Sequence, residues 1–169
     1  LARNMLSQTL ARHGGSGGVM ASLFSLNIGL PPVMAHGSAE LQAEVVPPVL
    51  RGERIAALAI TEPGGGSDVA AIRTTATREG SEWVLNGEKV FITSGLRADW
   101  LTVAVRTGGP GASGLSLIAV PGDAPGLSRT PLKKMGWWAS DTAHLRFDNC
   151  RVPHDHLIGE EGAGFRAIM

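Results

Sequence analysis

The sequence predicts an α+β chain in three parts. These are the end of an N-terminal helical domain (residues 1–52), a complete central antiparallel β barrel or sandwich (53–157), and the start of a C-terminal helical bundle (158–169). Three observations carry this. Apolar residues recur at helical spacing up to Pro47-Pro48, as at Leu41 and Val45. From Ile55 onward the period drops to two, in short runs bounded by turn residues. After Val152-Pro153 the chain turns polar and glycine-rich until Phe165 opens a new helical turn.

Leu1 to Arg12 predicts an amphipathic helix, with Leu6 and Leu10 four apart. His13 to Gly18 breaks it. Gly14 to Gly18 fits Gly-x-Ser-x-Gly, but a nucleophile elbow needs a strand before it, and the preceding segment is helical. The stretch therefore reads as a helix–helix turn. Val19 to Leu30 is apolar nearly all round and predicts a buried helix. Pro31 and Pro32 open a short helical turn towards His36-Gly37. Ser38 is a plausible N-cap for a third helix ending around Pro47-Pro48.

In the β part, Ala56 to Ile60 predicts a buried strand halted by Pro63. Arg73 to Thr77 is a second strand. Trp83 to Leu85, Asn86-Gly87, and Val90 to Thr93 predict a hairpin turned at Asn-Gly. Alternation sets Lys89, Phe91 and Thr93 on one face, and Val90 and Ile92 on the other. Strands follow at Trp100 to Val105 and Leu115 to Val120, separated by a glycine-rich loop, with a turn at Pro121 to Gly126. Thr142 to Asp148 alternates cleanly, Ala143, Leu145 and Phe147 inward, His144 and Arg146 outward.

Lys plus Arg and Asp plus Glu balance at 15 each, and no basic run is visible, which argues against a nucleic-acid partner. No apolar run approaches the ~20 residues of a membrane span, and the start lacks a signal-peptide pattern. The single Cys150 excludes an internal disulfide, suits a reducing compartment, and reads as a buried structural thiol. The chain starts and stops inside apparent helices, so an internal segment of a longer protein is expected.

The chemistry concentrates at Thr61 to Asp68. A strand delivers Thr61, glycines 64–66 offer a backbone without Cβ atoms, and Ser67 and Asp68 stand at the lip. These residues suit a polar, phosphate-bearing ligand, and equally a tight turn between two strands. They match neither the dinucleotide fingerprint nor the Walker pattern. Thr61 and Thr93 read either as ligand contacts or as ordinary strand threonines. His154-Asp155-His156, without further ligands nearby in sequence, predicts no metal site.

Thr61-Glu62-Pro63-Gly64-Gly65-Gly66-Ser67-Asp68, Leu85-Asn86-Gly87-Glu88-Lys89 and Phe91-Ile92-Thr93, in this order and spacing, resemble the acyl-CoA dehydrogenase family of flavoproteins. Leu132 to Gly136, Phe147 to Pro153 and Gly159 to Phe165 extend the match over nearly the whole chain. Gly136-Trp137-Trp138-Ala139-Ser140-Asp141-Thr142 looks most like bacterial members acting on long or branched acyl chains.

The resemblance implies a helical domain, a β domain that holds FAD and acyl-CoA, and a helical bundle. It implies α,β-dehydrogenation of an acyl-CoA thioester to the 2-enoyl-CoA, as in fatty-acid β-oxidation. The implied cofactor contacts are Leu58, Ile60, Thr61, Gly66, Ser67, Phe91, Ile92 and Thr93, with Ser67 also bordering the substrate. No catalytic residue is expected in this chain. The family's base is a Glu expected C-terminal to Met169, so Glu62 and Asp68 are assigned to capping or bracing the turn. An electron-transferring flavoprotein as acceptor, a homo-oligomer (tetramer or dimer) and a bacterial cytoplasmic location are further implications. The alternatives are a same-fold acyl-CoA oxidase or flavin monooxygenase, a non-catalytic relative, or a β-sandwich binding module without cofactor.

Overall fold

The computed structural model describes residues 2–168. Helices α1 (Ala2–Arg12), α2 (Gly17–Phe24), α3 (Leu30–His36) and α4 (Ala39–Leu50) precede the strands, and α5 (Gly164–Ile168) follows them. No helix among the described residues is long and apolar enough to cross a membrane.

Ser16, the serine of the Gly-x-Ser-x-Gly string, is the N-cap of α2, its hydroxyl accepting from the Val19 amide at 3.4 Å. The single buried helix expected over Val19 to Leu30 is instead split between α2 and α3. Ala56 donates to the Leu26 carbonyl and Gly29 to the Ala56 carbonyl, both at 2.9 Å, so an incoming strand captures the backbone between the two helices. Val19 and Leu23 are left exposed. Ser38 caps α4 through the Leu41 amide at 3.1 Å, and Leu41, Val45 and Val49 line its buried face. The helix does not end at Pro47-Pro48 but carries both prolines and runs on to Leu50.

Eight strands follow: β1 (Ala56–Ala59), β2 (Thr75–Glu79), β3 (Glu82–Thr93), β4 (Trp100–Arg106), β5 (Leu115–Pro121), β6 (Leu127–Pro131), β7 (Thr142–Pro153) and β8 (Leu157–Ile158). They form one sheet in the order β6-β7-β3-β2-β4-β5-β8, with β1 on β4. The sheet is antiparallel except where β1 runs parallel to β4 and where β2 touches β4 at Thr75 and Arg106. Its two ends do not pair with each other, so the sheet is not closed into a barrel.

Strands β4 and β5 are buried along almost their whole length, which explains their largely apolar sequences, interrupted only by the buried Thr102 and Ser116 before Arg106 ends β4. Leu101, Val103, Ile118 and Val120 join Trp83, Leu145 and Phe147 in one core. Ala104, Leu115 and Leu117 join Leu30, Val33, Leu41 and Val45 in a second core under the helices.

The hairpin expected at Asn86-Gly87 does not form. The turn lies at Gly80-Ser81, and β3 continues through Asn86-Gly87 paired with β7. The Asn-Gly pair marks a bulge instead, where the register shifts between Leu85 and Gly87. Gly87 has φ +144°, and a Cβ there would stand 2.7 Å from the Thr74 Cα. A second shift between Lys89 and Ile92 overturns the expected alternation. Phe91 takes φ +60° and points out, while Lys89 and Ile92 are both buried. Strand β6, not expected from the sequence, is an edge strand with few apolar residues. The strand expected over Arg73 to Thr77 lies at Thr75–Glu79.

Cys150 is buried, and burial pushes its thiol up to about 11. The native protein should therefore not react with a thiol-specific disulfide reagent at neutral pH, and should release one equivalent once unfolded. Stoichiometric reaction of the native protein would contradict this packing.

Candidate functional site

Strand β1 ends at Ala59 and delivers Ile60 and Thr61 to the edge of the sheet. Glu62 and Gly65 then exchange two backbone hydrogen bonds of 3.0 Å, closing a tight loop over Pro63-Gly64. Gly66 folds back onto Thr61, where a Cβ would stand 2.9 Å from the threonine Cγ2. Glycine is therefore required for the loop to lie this close. Positions 63–68 are exposed, and the amides of Gly64, Gly66 and Ser67 have no partner among the described residues. Asp68 caps the following 3-10 turn by accepting from Ala70 at 3.1 Å.

The Thr61 carbonyl accepts the Val90 amide at 2.8 Å, which sets the loop beside the second bulge of β3. Phe91 projects from that bulge with 68% of its surface exposed. Two residues on, half-buried Thr93 lines a separate hollow of about 400 Å³ with Ala21, Met135, Trp137 and Thr142. The loop after β6 places Met135, Trp137 and Trp138 in solvent. Its Trp137 has φ +58° and packs under Gly17 and Gly18 of α2.

Behind Thr61 lies a charged pair. Lys89 is fully buried, and its Nζ donates to Glu62 Oε1 and to the Ile60 carbonyl, each at 2.9 Å. The Glu62 carboxylate also accepts the Thr74 amide on Oε1 and the Arg73 amide on Oε2, both at 2.8 Å. Burial pulls Lys89 down to about 8, with Glu62 holding part of the charge in place. Burial alone would push Glu62 up, but Thr74, Arg73 and Lys89 together leave it below the ordinary carboxylate range. Glu62 thus braces the turn, the role assigned to it from the sequence.

The structure brings Thr61, Gly66, Ser67 and Phe91 to one exposed edge, with Thr93 next along β3. Leu58 is half-buried on β1, and Ile60 packs partly against the helical core. The Ile92 side chain is 2% exposed in the core, which leaves its backbone for a ligand. The bulge that turns Phe91 out turns Ile92 in. His154 and His156 are splayed into separate contacts, His154 stacked on Trp83 and His156 tilted against Trp100. Lys89 was not singled out from the sequence. Its one signal is a lysine on a strand that opens the apolar run Val90 to Ile92, and the bulge that buries it is invisible to simple alternation.

The family model for the acyl-CoA dehydrogenase middle domain matches residues 57–150, which span β1 to β7 and every element of this edge. The chain belongs to the acyl-CoA dehydrogenase family. Among curated relatives, an acyl-CoA dehydrogenase, apdG, of Emericella nidulans is 43% identical over all of this chain and 39% of its own length. A cyclohexane-1-carbonyl-CoA dehydrogenase of Geobacter metallireducens is 42% identical over 96% of this chain and 42% of its own length. A crystal structure of a probable acyl-CoA dehydrogenase from Mycobacterium abscessus superposes with TM-score 0.89 at 54% identity, covering 92% of this chain and 42% of that one. The chain thus spans about two fifths of the length of the curated relatives it matches.

The acyl-CoA dehydrogenase edge suits the cofactor of the family, FAD. Exposed, unpaired amides at Gly64, Gly66 and Ser67 suit a phosphate. Thr61 offers a hydroxyl to a polar ring edge, and Phe91 offers an uncovered aromatic face.

Proposed function

We propose that this chain is the cofactor- and substrate-holding part of an FAD-dependent acyl-CoA dehydrogenase. In this reading residues 53–157 form the β domain, with helical domains on either side. The observation that carries the proposal is the convergence of Thr61, the glycine loop and outward-turned Phe91 on one edge, within the stretch the family model covers.

Thr61 donates its hydroxyl to the cofactor's ring edge, and the Gly66 and Ser67 amides hold its phosphates. Phe91 would keep water from the ring, and Thr93, lining the hollow next along β3, would offer a second hydroxyl. Leu58, Ile60 and Ile92 contribute mainly through backbone and packing. When bound, FAD supplies the hydride acceptor for α,β-dehydrogenation of the acyl thioester. Donors fixed in advance at a water-poor edge stabilise negative charge as it develops. A relative named for cyclohexane-1-carbonyl-CoA supports a branched or cyclic acyl group as substrate. An electron-transferring flavoprotein as acceptor and a homo-oligomeric assembly complete the reading.

The test is the visible absorbance of the purified full-length gene product, before and after anaerobic addition of straight, branched and cyclic acyl-CoA thioesters. Flavin bands that bleach with one thioester and recover slowly in air are expected. Fast recovery in air would make the protein an oxidase. Bands that no thioester bleaches would remove the dehydrogenase assignment. A colourless protein that FAD cannot restore would remove the roles given to Thr61, Ser67 and Thr93.

A further inference from the structure

Lys89, the largest fully buried polar side chain among the described residues, is not itself one of the proposed ligand contacts, yet it lies directly behind them and holds one of them, Ile60, by its carbonyl. Two consecutive residues of β3 hold two consecutive residues leaving β1. Lys89 Nζ binds the Ile60 carbonyl at 2.9 Å, and the Val90 amide binds the Thr61 carbonyl at 2.8 Å. Glu62, the next residue of β1's exit, closes the ring by binding Lys89 and the Arg73 and Thr74 amides. The bulge that turns Phe91 outward begins at Lys89. Were β3 to alternate regularly, Lys89 and Phe91 would share a face, and burying one would bury the other.

A buried ion pair is a poor way to gain stability, since apolar side chains of similar size serve as well or better. What it supplies here is geometry. An apolar side chain could fill the same volume without specifying which carbonyl it meets.

We infer that Lys89 and Glu62 are positioning residues, a charged clamp that fixes Thr61 and the outward bulge at Phe91 and thereby sets the affinity and reduction potential of the bound flavin. This rests on the functional reading above for the flavin, and on the structure alone for the clamp.

The two charges predict opposite electrostatic effects. Lys89→Met leaves the Glu62 carboxylate uncompensated beside the proposed cofactor edge, which disfavours a more electron-rich flavin and lowers its potential. Glu62→Gln leaves the Lys89 ammonium uncompensated and raises the potential, measured at mildly acidic pH where the amine stays protonated. The double variant Lys89→Met/Glu62→Gln cancels the charges but not the lost geometry.

The experiment uses the full-length protein in two arms. In the first, without added flavin, amide exchange of Val90 is followed by NMR. Lys89→Met should speed it roughly tenfold or more, as expected for losing a charge-assisted hydrogen bond beside it. The core variant Val152→Ala reports how much of any change comes from lost global stability. In the second arm, flavin-loaded proteins should show a lowered potential for Lys89→Met, a raised one for Glu62→Gln, and weakened flavin affinity in both singles and in the double. A folded Lys89→Met protein whose Val90 exchange matches Val152→Ala overturns the clamp. Unchanged potentials, or shifts of the same sign, overturn its tuning of the flavin. A parent that binds no flavin refutes the functional reading while the first arm still decides the clamp.

Discussion

Replacing Trp83 with alanine should cost about 3–5 kcal/mol of folding stability, the range for emptying a fully buried aromatic site. Trp83 is 1% exposed in the core beneath β3, where it stands opposite Val152 of β7 and Arg78 of β2. Its ring stacks on His154 at 5.7 Å and 18°, and its Nε1 donates to the His154 carbonyl at 3.2 Å. His154 in turn donates its amide to the Ser81 carbonyl at 2.8 Å, in the β2–β3 turn. One side chain therefore ties that turn to the exit of β7. Alanine would leave a cavity and remove one of the two donors to the His154 carbonyl, the Leu157 amide being the other. Trp83→Phe keeps most of the volume and the stacking, and should cost under about 2 kcal/mol. Urea unfolding followed by circular dichroism, with an unchanged slope, checks both values. An alanine variant within about 1 kcal/mol of the parent would mean that the core collapses around the gap.

The helix–β–helix order was legible because the hydrophobic period changes, and periodicity survives tertiary context when a whole face is buried. Ser38, Leu41 and Val45 announced α4 by capping and spacing, and β4 and β5 announced themselves by largely apolar runs bounded by turn residues. The misreadings share one cause, which is long-range pairing overriding a local signal. Asn86-Gly87 carries the strongest local hairpin signature, but β7 pairs across it, and the Asn86 side chain accepts the Asn149 amide at 2.9 Å from the far strand. The break between α2 and α3 was hidden because its partner, Ala56, lies well beyond both helices. At the site, residue types alone pointed to Thr61 and the glycine loop as a ligand-holding edge, whereas Phe91 entered only through the family resemblance. The Lys89–Glu62 pair was not legible, because 27 residues separate its members and only the fold joins them. That Glu62 braces rather than reacts fits its three donors, which hold both carboxylate oxygens against the backbone and the buried Lys89.

Glu62→Ala should cost about 3–5 kcal/mol, because it strands the buried Lys89 ammonium without its counter-charge and leaves the Arg73 and Thr74 amides unmet. Adding Lys89→Met should recover much of that loss, since the charge that suffers is then gone. The pair also has a signature in pH. Lys89 titrates at about 8 in the fold, against about 10.4 for an unfolded lysine. Between those values the unfolded chain binds more protons, so this group makes stability rise with pH, by roughly 3 kcal/mol in all. Glu62 acts at the other end. Its lowered pKa contributes stability above the ordinary carboxylate range, and that is lost as pH falls through its folded value. Cys150 opposes Lys89, because a thiol raised to about 11 ionises first in the unfolded chain and lowers stability over much the same alkaline window. No tyrosine is present to add a third titration there. The decisive comparison is therefore made in a Cys150→Ser background, with and without Lys89→Met, by urea midpoints from neutral pH to beyond 10. The lysine-bearing protein should gain on the methionine variant throughout that range. Parallel curves would show that Lys89 keeps its proton as readily in the fold as in water, and that the ion pair is far better solvated than its full burial implies.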